Sequence, residues 1–309
     1  MISVIIPLYN KEKQIANAIK SVLSQTYKDF EIVIVNDGST DRSIEVVANF
    51  SDERIRLVTQ RNAGVSAARN RGIKEAKGAF VAFLDADDEW DGNYLESINE
   101  LIQKYPDCGV YASNYQFRTS TGAVTPTIIR NITFNHTDGV LSNYFTVAST
   151  SHPPLWTSAV VVSKRAIEKI GGFPIGIKSG EDILTWARLA VKNSIAYSLI
   201  PRATYNLGDG YDYSNLPPRR QDQGDPVGKA LKELYAIHPE IKDLKLYISH
   251  WHKMRASVAI RFGERIETLK EVALSLKYNP VNFRVLPFAV LAICPDKLRK
   301  RIIGLKKSV

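Results

Sequence analysis

Apolar and polar positions alternate in blocks along the first third of the chain. ISVIIPL (2–8) is an almost unbroken apolar run rich in β-branched residues, the pattern of a strand buried on both faces. Between Lys11 and Gln25 the apolar residues Ile15, Ala18, Ile19, Val22 and Leu23 recur at helical spacing. The alternation then repeats. FEIVIVND predicts a strand, STDRSIEVVANF a helix with a polar cap, RIRLVTQ a third strand, and GVSAARNRGIKEAKG a helix stopped by Gly78. AFVAFLD, NYLESINELIQKYP and CGVYASNYQF continue the series as strand, helix and strand. Such an order predicts an α/β fold: a Rossmann-like, mostly parallel sheet flanked by helices and joined by right-handed crossovers.

From about Phe117 the pattern loosens, Thr and Asn become frequent, and short strands are expected. TSAVVVSKRAIEKIGGF predicts a strand and a short helix, SGEDILTWARLAVKNS a helix, and IAYSLIPRATYNL a strand. GDGYDYSNLPPRRQDQGDP is rich in Gly, Pro, Asp and Tyr and marks a long loop at a domain boundary. Beyond Pro226 the chain reads as helical. The expected division is therefore a sheet domain over 1–215, with halves 1–115 and 116–215, and a helical C-terminal extension over 216–309.

Composition narrows the class little. At 309 residues, 44% hydrophobic and 24% charged, the chain has enough apolar surface for a real core. Its two cysteines, Cys108 and Cys294, form no CxxC pair, which argues against a Cys-based zinc site and a disulfide framework and favours a reducing compartment. MISVIIPLYN lacks a basic n-region and reads as a first strand rather than a signal peptide. The net charge is +9, with Lys297, Arg299, Lys300, Arg301, Lys306 and Lys307 gathered near the C-terminus. A basic tail suits phosphate-bearing partners, although a solvated helix end has the same composition. Without interleaved aromatics, the tail does not point to nucleic acid.

Candidate chemistry gathers where the strands end, which is where ligands bind in open α/β sheets. Asp85 and Asp87, one residue apart after a wholly apolar strand, offer two carboxylates for Mg²⁺ or Mn²⁺ on a diphosphate, or for acid–base work. Asp37, directly after the second strand, is placed to accept from a uracil or from ribose hydroxyls, whereas Ser39 and Asp41 serve the turn and helix cap. RNAGVSAARNRG supplies Asn62, Gly64, Arg69 and Asn70, with Arg69 able to pair with a phosphate or with Asp85. Glu181 and Asp182 open a helix, where they fit either a capping box with Ser179 or a base facing an incoming hydroxyl.

VIIPLYN, VNDGSTD, NAGVSAARNRG and FLDADDEW, in that order and followed by GED, resemble the family 2 glycosyltransferases, inverting enzymes of GT-A fold. The resemblance covers roughly 1–207. It implies that 1–115 is the nucleotide-sugar half and 116–215 the acceptor half. It implies nucleotide contacts from Pro7, Tyr9 and Asp37, donor contacts from Asn62, Arg69 and Asp85, a metal on Asp87 and Asp85, and Asp182 as general base beside Glu181. Relatives often take a third metal contact from a late histidine; His152, His250 and His252 are candidates without a matching motif. The processive Gln-x-x-Arg-Trp motif is not found, which implies one sugar added per encounter. The implied reaction moves a hexose or N-acetylhexosamine from a UDP-sugar to a glycan acceptor carried on a polyprenyl diphosphate, in surface polysaccharide assembly. The alternative is a non-catalytic nucleotide-sugar-binding module, which keeps the fold without needing Asp182.

VLPFAVLAIC (285–294) is too short to span a bilayer and lies beside the basic cluster. It fits an interfacial helix on an anionic membrane surface, or a core helix. The first option gives a cytoplasmic protein held peripherally on the inner membrane face.

Overall fold

The computed structural model describes residues 1–208 and 220–304. They fall into two compact units, Met1–Gly176 with Glu181–Leu207, and Ile177–Gly180 with Gly208–Val309. The boundary expected between 215 and 216 lies outside the described residues.

Ten strands form one sheet in the first unit: β1 (Ile2–Leu8), β2 (Phe30–Asn36), β3 (Ile55–Thr59), β4 (Phe80–Phe83), β5 (Glu89–Trp90), β6 (Val110–Arg118), β7 (Val124–Pro126), β8 (Asp138–Val140), β9 (Val160–Ser163) and β10 (Ile195–Asn206). Between them run helices α1 (Ile15–Leu23), α2 (Ser43–Ala48), α3 (Val65–Glu75), α4 (Tyr94–Lys104), α5 (Tyr144–Thr150), α6 (Lys164–Lys169) and α7 (Glu181–Ala190). The strand order is β3-β2-β1-β4-β9-β6-β10-β5, with β7 added beside β6 and β8 beside β10.

The continuous apolar runs predicted to be buried on both faces are buried: every residue of β1 and β2 is inaccessible or nearly so. Ile15, Ala18, Ile19 and Val22 of α1 join them in a core with Leu95, Ile98 and Leu101 of α4. α3 lies close against β1, since a Cβ at Gly72 would stand 2.3 Å from Ile5 Cγ2. A larger residue there would push the helix off the sheet.

β1 to β4 are parallel to one another. β9 lies between β4 and β6 and is antiparallel to both, so β6 regains the direction of β4, and β10 runs parallel to β6. The carboxyl ends of β1, β2, β3, β4, β6 and β10 therefore face one rim. The antiparallel insertion has no local signature, because VVV reads the same in either direction. The segment 117–156, where only short strands are expected, also holds α5, with Tyr144, Phe145, Val147 and Ala148 buried. Its Thr and Ser content hides the helical spacing.

The second unit is built from α8 (Pro226–Ile237), α9 (Leu244–Phe262), α10 (Arg265–Tyr278), a 3-10 turn (Phe283–Val285), α11 (Leu286–Ile293) and α12 (Asp296–Ile303). Asp225 caps α8 by accepting the Gly228 N–H at 2.9 Å. α9, α10 and α11 meet around Ala256, Val272 and Val285, with Phe288 and Ala289 packed against them. A charged network is buried in this unit. Glu271 accepts from Arg255 Nε at 2.6 Å and pairs with His252 Nδ1 at 2.5 Å, and Arg255 also reaches Asp225 at 3.6 Å. Among the described residues no helix is long and apolar enough to cross a membrane.

Candidate functional site

The parallel strands deliver four loops to one rim. After β1 come Tyr9, exposed, and Asn10, whose Oδ1 accepts the Thr40 N–H from the loop after β2. Pro7 itself is buried within β1, level with Val35. The loops after β2 and β3 also touch: a Cβ at Gly38 would stand 3.0 Å from the Asn62 nitrogen. Asn62 is exposed on that rim.

Asp37 is buried and accepts three N–H groups. Gln60 Nε2 and the Ala63 nitrogen reach its Oδ1 at 2.8 and 3.0 Å, and the Gly64 nitrogen reaches Oδ2 at 2.9 Å. The carboxylate thus fixes the entry into α3, where Gly64 takes φ +90°, a backbone angle that L side chains rarely adopt. Since each carboxylate oxygen offers two acceptor sites, Oδ2 keeps one for a ligand.

The acids after β4 form a tight turn, closed by the Asp88 N–H on the Asp85 carbonyl at 3.0 Å. Asp85 and Asp87 remain partly exposed, and each faces a cation: Arg69 Nη2 lies 2.8 Å from Asp85 Oδ1, and Lys11 Nζ 2.5 Å from Asp87 Oδ2. Asp88 does something the sequence does not suggest. It is buried, accepting from Ser158 Oγ at 2.5 Å and from the Asn206 nitrogen at 3.2 Å. Burial, followed by the charge of Asp85, raises its carboxyl well above the usual range. Ser158 Oγ also accepts the Asp85 N–H, and Asn206 Nδ2 donates to the Asp87 carbonyl at 2.7 Å and to Glu89 at 3.1 Å. β5 pairs with β10 through Ala203 and Thr204. The acid turn is therefore held from two sides by residues more than 65 positions away.

Arg69 joins the acid turn to α7. It is 4% exposed, and Nη1 stands 3.4 Å from Glu181 Oε1 while Nη2 bonds Asp85. Its guanidinium lies over the Phe173 ring at 5.1 Å. Burial opposes its charge, but Asp85 and Glu181 outweigh burial and leave its pKa above the ordinary value. Its Nε is buried and has no hydrogen-bond partner among the described residues. Glu181 is pushed up to about 7 by burial and then by the charge of Asp182. Asp182 is also raised, chiefly by burial, although its Oδ1 accepts the Ile183 N–H at 2.7 Å.

Aromatic rings from β6 and β10 flank this centre. Trp156 stacks on Tyr115 at 5.4 Å and packs on Tyr205 at 4.7 Å. Burial and the charges of Asp88, Asp87 and Asp85 push the Tyr205 hydroxyl up to about 12.

The structure brings Arg69, Asp85 and Glu181 into direct contact and sets Asp87 and Asp182 beside them in sequence. Lys11, Ser158, Asn206 and Tyr205 belong to the same centre and escape sequence reasoning. Asn206 was accessible in principle as a polar strand end, whereas nothing local marks Ser158. His152 accepts the Ile128 N–H on Nδ1 at 2.9 Å. His250 and His252 lie on α9, where His252 is buried against Glu271. Asp225, His252 and Glu271 bring potential ligand atoms within 4.8 Å of one another, yet the cation among them is the Arg255 guanidinium.

The family model of glycosyl transferase family 2 matches residues 3–158, from the first strand through the acid turn to Ser158. The chain belongs to this family. It is 43% identical over 123 residues to glycosyltransferase GlyA of Streptococcus pneumoniae serotype 4, which is 39% of this chain and 18% of that protein. It is 39% identical over 137 residues to the Escherichia coli UDP-Glc:alpha-D-GlcNAc-diphosphoundecaprenol beta-1,3-glucosyltransferase WfgD, 44% of this chain and 54% of that protein. The chain thus spans little more than half the length of WfgD and under a fifth of GlyA. The crystal structure of S. aureus TarS 1–349 in complex with UDP-GlcNAc shares the fold over 98% of this chain and 88% of TarS 1–349, at a TM-score of 0.64 and 20% identity. The GT-A fold expected from the motifs is borne out, with the helical C-terminal elements present.

Proposed function

We propose that this family member is an inverting, non-processive glycosyltransferase that moves a hexose or N-acetylhexosamine from a UDP-sugar to a hydroxyl of a lipid-linked glycan, forming a β-linkage at the inner face of the membrane. The observation that carries the reading is Arg69, a buried cation touching both the acid turn and the helix of Glu181 and Asp182. It joins the place where a diphosphate is bound to the place where a hydroxyl is activated. The name of WfgD supports a UDP-sugar donor and a diphospholipid-linked acceptor, and the UDP-GlcNAc held by TarS supports the same donor class.

The oxygen donors of Asp85 and Asp87, partly exposed and one residue apart, fit a hard divalent cation such as Mn²⁺ or Mg²⁺. When bound there, the cation supplies charge neutralisation for the leaving diphosphate. Arg69, with its unpartnered Nε, orients phosphate oxygens. Tyr9, Asn62 and the free acceptor site of Asp37 hold the nucleoside, with Pro7 shaping the strand end beneath it. Asp182 takes the proton from the acceptor hydroxyl, which attacks the anomeric carbon opposite the diphosphate. Glu181 holds Arg69 and binds the acceptor beside it. The displacement needs no enzyme nucleophile, and one inversion turns an α-linked donor into a β-glycoside.

The test is calorimetry of UDP binding with and without Mn²⁺, followed by a donor hydrolysis screen over a panel of sugar nucleotides. Metal-dependent UDP binding with hydrolysis of one donor is the expected result. Binding without hydrolysis or transfer would favour a nucleotide-sugar-binding module instead.

A further inference from the structure

The end of the helical unit carries an apolar surface that its own core does not use. One side of α11 is packed: Ala292 is buried, and Phe288 and Ala289 lie against Ala256, Val272 and Val285. The opposite side is equally apolar. Phe283 is 67% exposed, Val290 57% and Ile293 73%, with Leu286 and Pro287 exposed between them. Residues 283, 286, 290 and 293 follow steps of three and four, so they form one stripe along the turn and helix. A surface helix of a globular unit presents polar residues on its outer side; a helix apolar on both sides lies between its own core and a second apolar medium. α12 extends the surface with Leu298 and Ile302, also exposed.

Positive charge borders this stripe. Arg284, Lys297, Lys300 and Arg301 are exposed. The acid of α12, Asp296, is tied to Arg265 at 2.8 Å and to Arg299 at 3.0 Å. Pairing the stripe with a second copy of itself would set these like charges against one another. An anionic lipid surface instead receives the apolar side chains among its acyl chains and the basic groups among its headgroups. An eight-residue helix is about 12 Å long, well short of a bilayer, so it lies in the interface.

We infer that the surface formed by Phe283, Leu286, Val290, Ile293, Leu298 and Ile302, bordered by Arg284, Lys297, Lys300 and Arg301, docks this protein on anionic membranes. The inference rests on the proposed function only for its purpose, a lipid-linked acceptor. Its physical content is independent of catalysis.

Flotation of the full chain with vesicles containing neither acceptor nor donor tests it. The protein floats with vesicles of phosphatidylglycerol and phosphatidylcholine in equal parts, stays behind with phosphatidylcholine alone, and is released as salt rises. Phe283→Ser, Val290→Ser and Ile293→Ser together lower the bound fraction at least tenfold. Lys297→Gln, Lys300→Gln and Arg301→Gln together do so on the anionic vesicles. Unchanged thermal melting and UDP binding establish that both variants are folded. Failure of the unmodified protein to float overturns the inference, as does flotation of the serine variant at the unmodified level. So does a concentration-dependent dimer in sedimentation that the serine variant abolishes. Absence of glycosyl transfer in other assays leaves the flotation result intact, and failure to float leaves the transfer reading intact.

Discussion

Arg69 is where side-chain chemistry and architecture meet, and its neighbours yield the most exposed predictions. Asp182→Asn keeps the shape of the side chain but cannot take a proton. Transfer should fall at least about 100-fold while UDP affinity changes little; equal losses in both, measured by calorimetry beside turnover, would remove Asp182 from its role. Ionisation adds a second test. Burial lifts Glu181 to about 7 and raises Asp182, so the pair holds a proton at mildly acidic pH. Activity that needs the deprotonated base therefore rises above the ordinary carboxylate range in the pH profile of kcat/KM. The sign for stability is the reverse. A carboxyl whose folded pKa is raised favours folding when protonated, so the contribution of this pair declines as pH climbs from its unfolded value through the raised one. Asp85 and Asp87 were legible as candidates because paired acids directly after a wholly apolar strand are unusual, whereas Glu181 at a helix start fits a capping box equally well. That Arg69 touches both Asp85 and Glu181 was not legible, because 112 residues separate its second contact.

At the level of elements, the acid turn depends on two distant braces. Ser158→Ala leaves the Asp88 carboxyl and the Asp85 N–H without their shared partner. A cost of about 1–3 kcal/mol in denaturant unfolding is expected from the unsatisfied groups. Displacement of Asp85 and Asp87 should lower kcat with the metal present, and chelation by EDTA should abolish transfer in the unmodified chain. Activity that survives EDTA would refute the metal assignment to these two acids. Before Phe117, β1 to β4 and β6 were readable from their apolar runs and the longer helices from their spacing, whereas the two-residue β5 was not. β9 was read as a strand but not in its direction, since three valines fix none, and α5 was missed, since YFTVAST mixes buried positions with Thr and Ser. For the same reason the acid turn looked self-contained, and its supports at Ser158 and Asn206 were invisible.

For the molecule as a whole, each unit has its own source of stability. In the helical unit Glu271, 1% exposed, is enclosed by His252 and Arg255. Glu271→Ala leaves a buried guanidinium without its main partner, and about 3 kcal/mol of destabilisation is expected in thermal or denaturant unfolding. EDTA should not shift that unit's transition, because Arg255 already supplies the positive charge. In the sheet unit, strand order sets the sequence of assembly. The pairings of β1 with β2 and β4, and of β2 with β3, use nothing beyond residue 83, so these four strands can associate early, before β9 adds to β4. The acid turn follows at once in the chain, but Ser158 and Asn206 have to arrive before it is held. A nascent chain thus owns the paired strands β1 to β4 long before its acid turn is braced, and translation must pass residue 206 before that brace is complete.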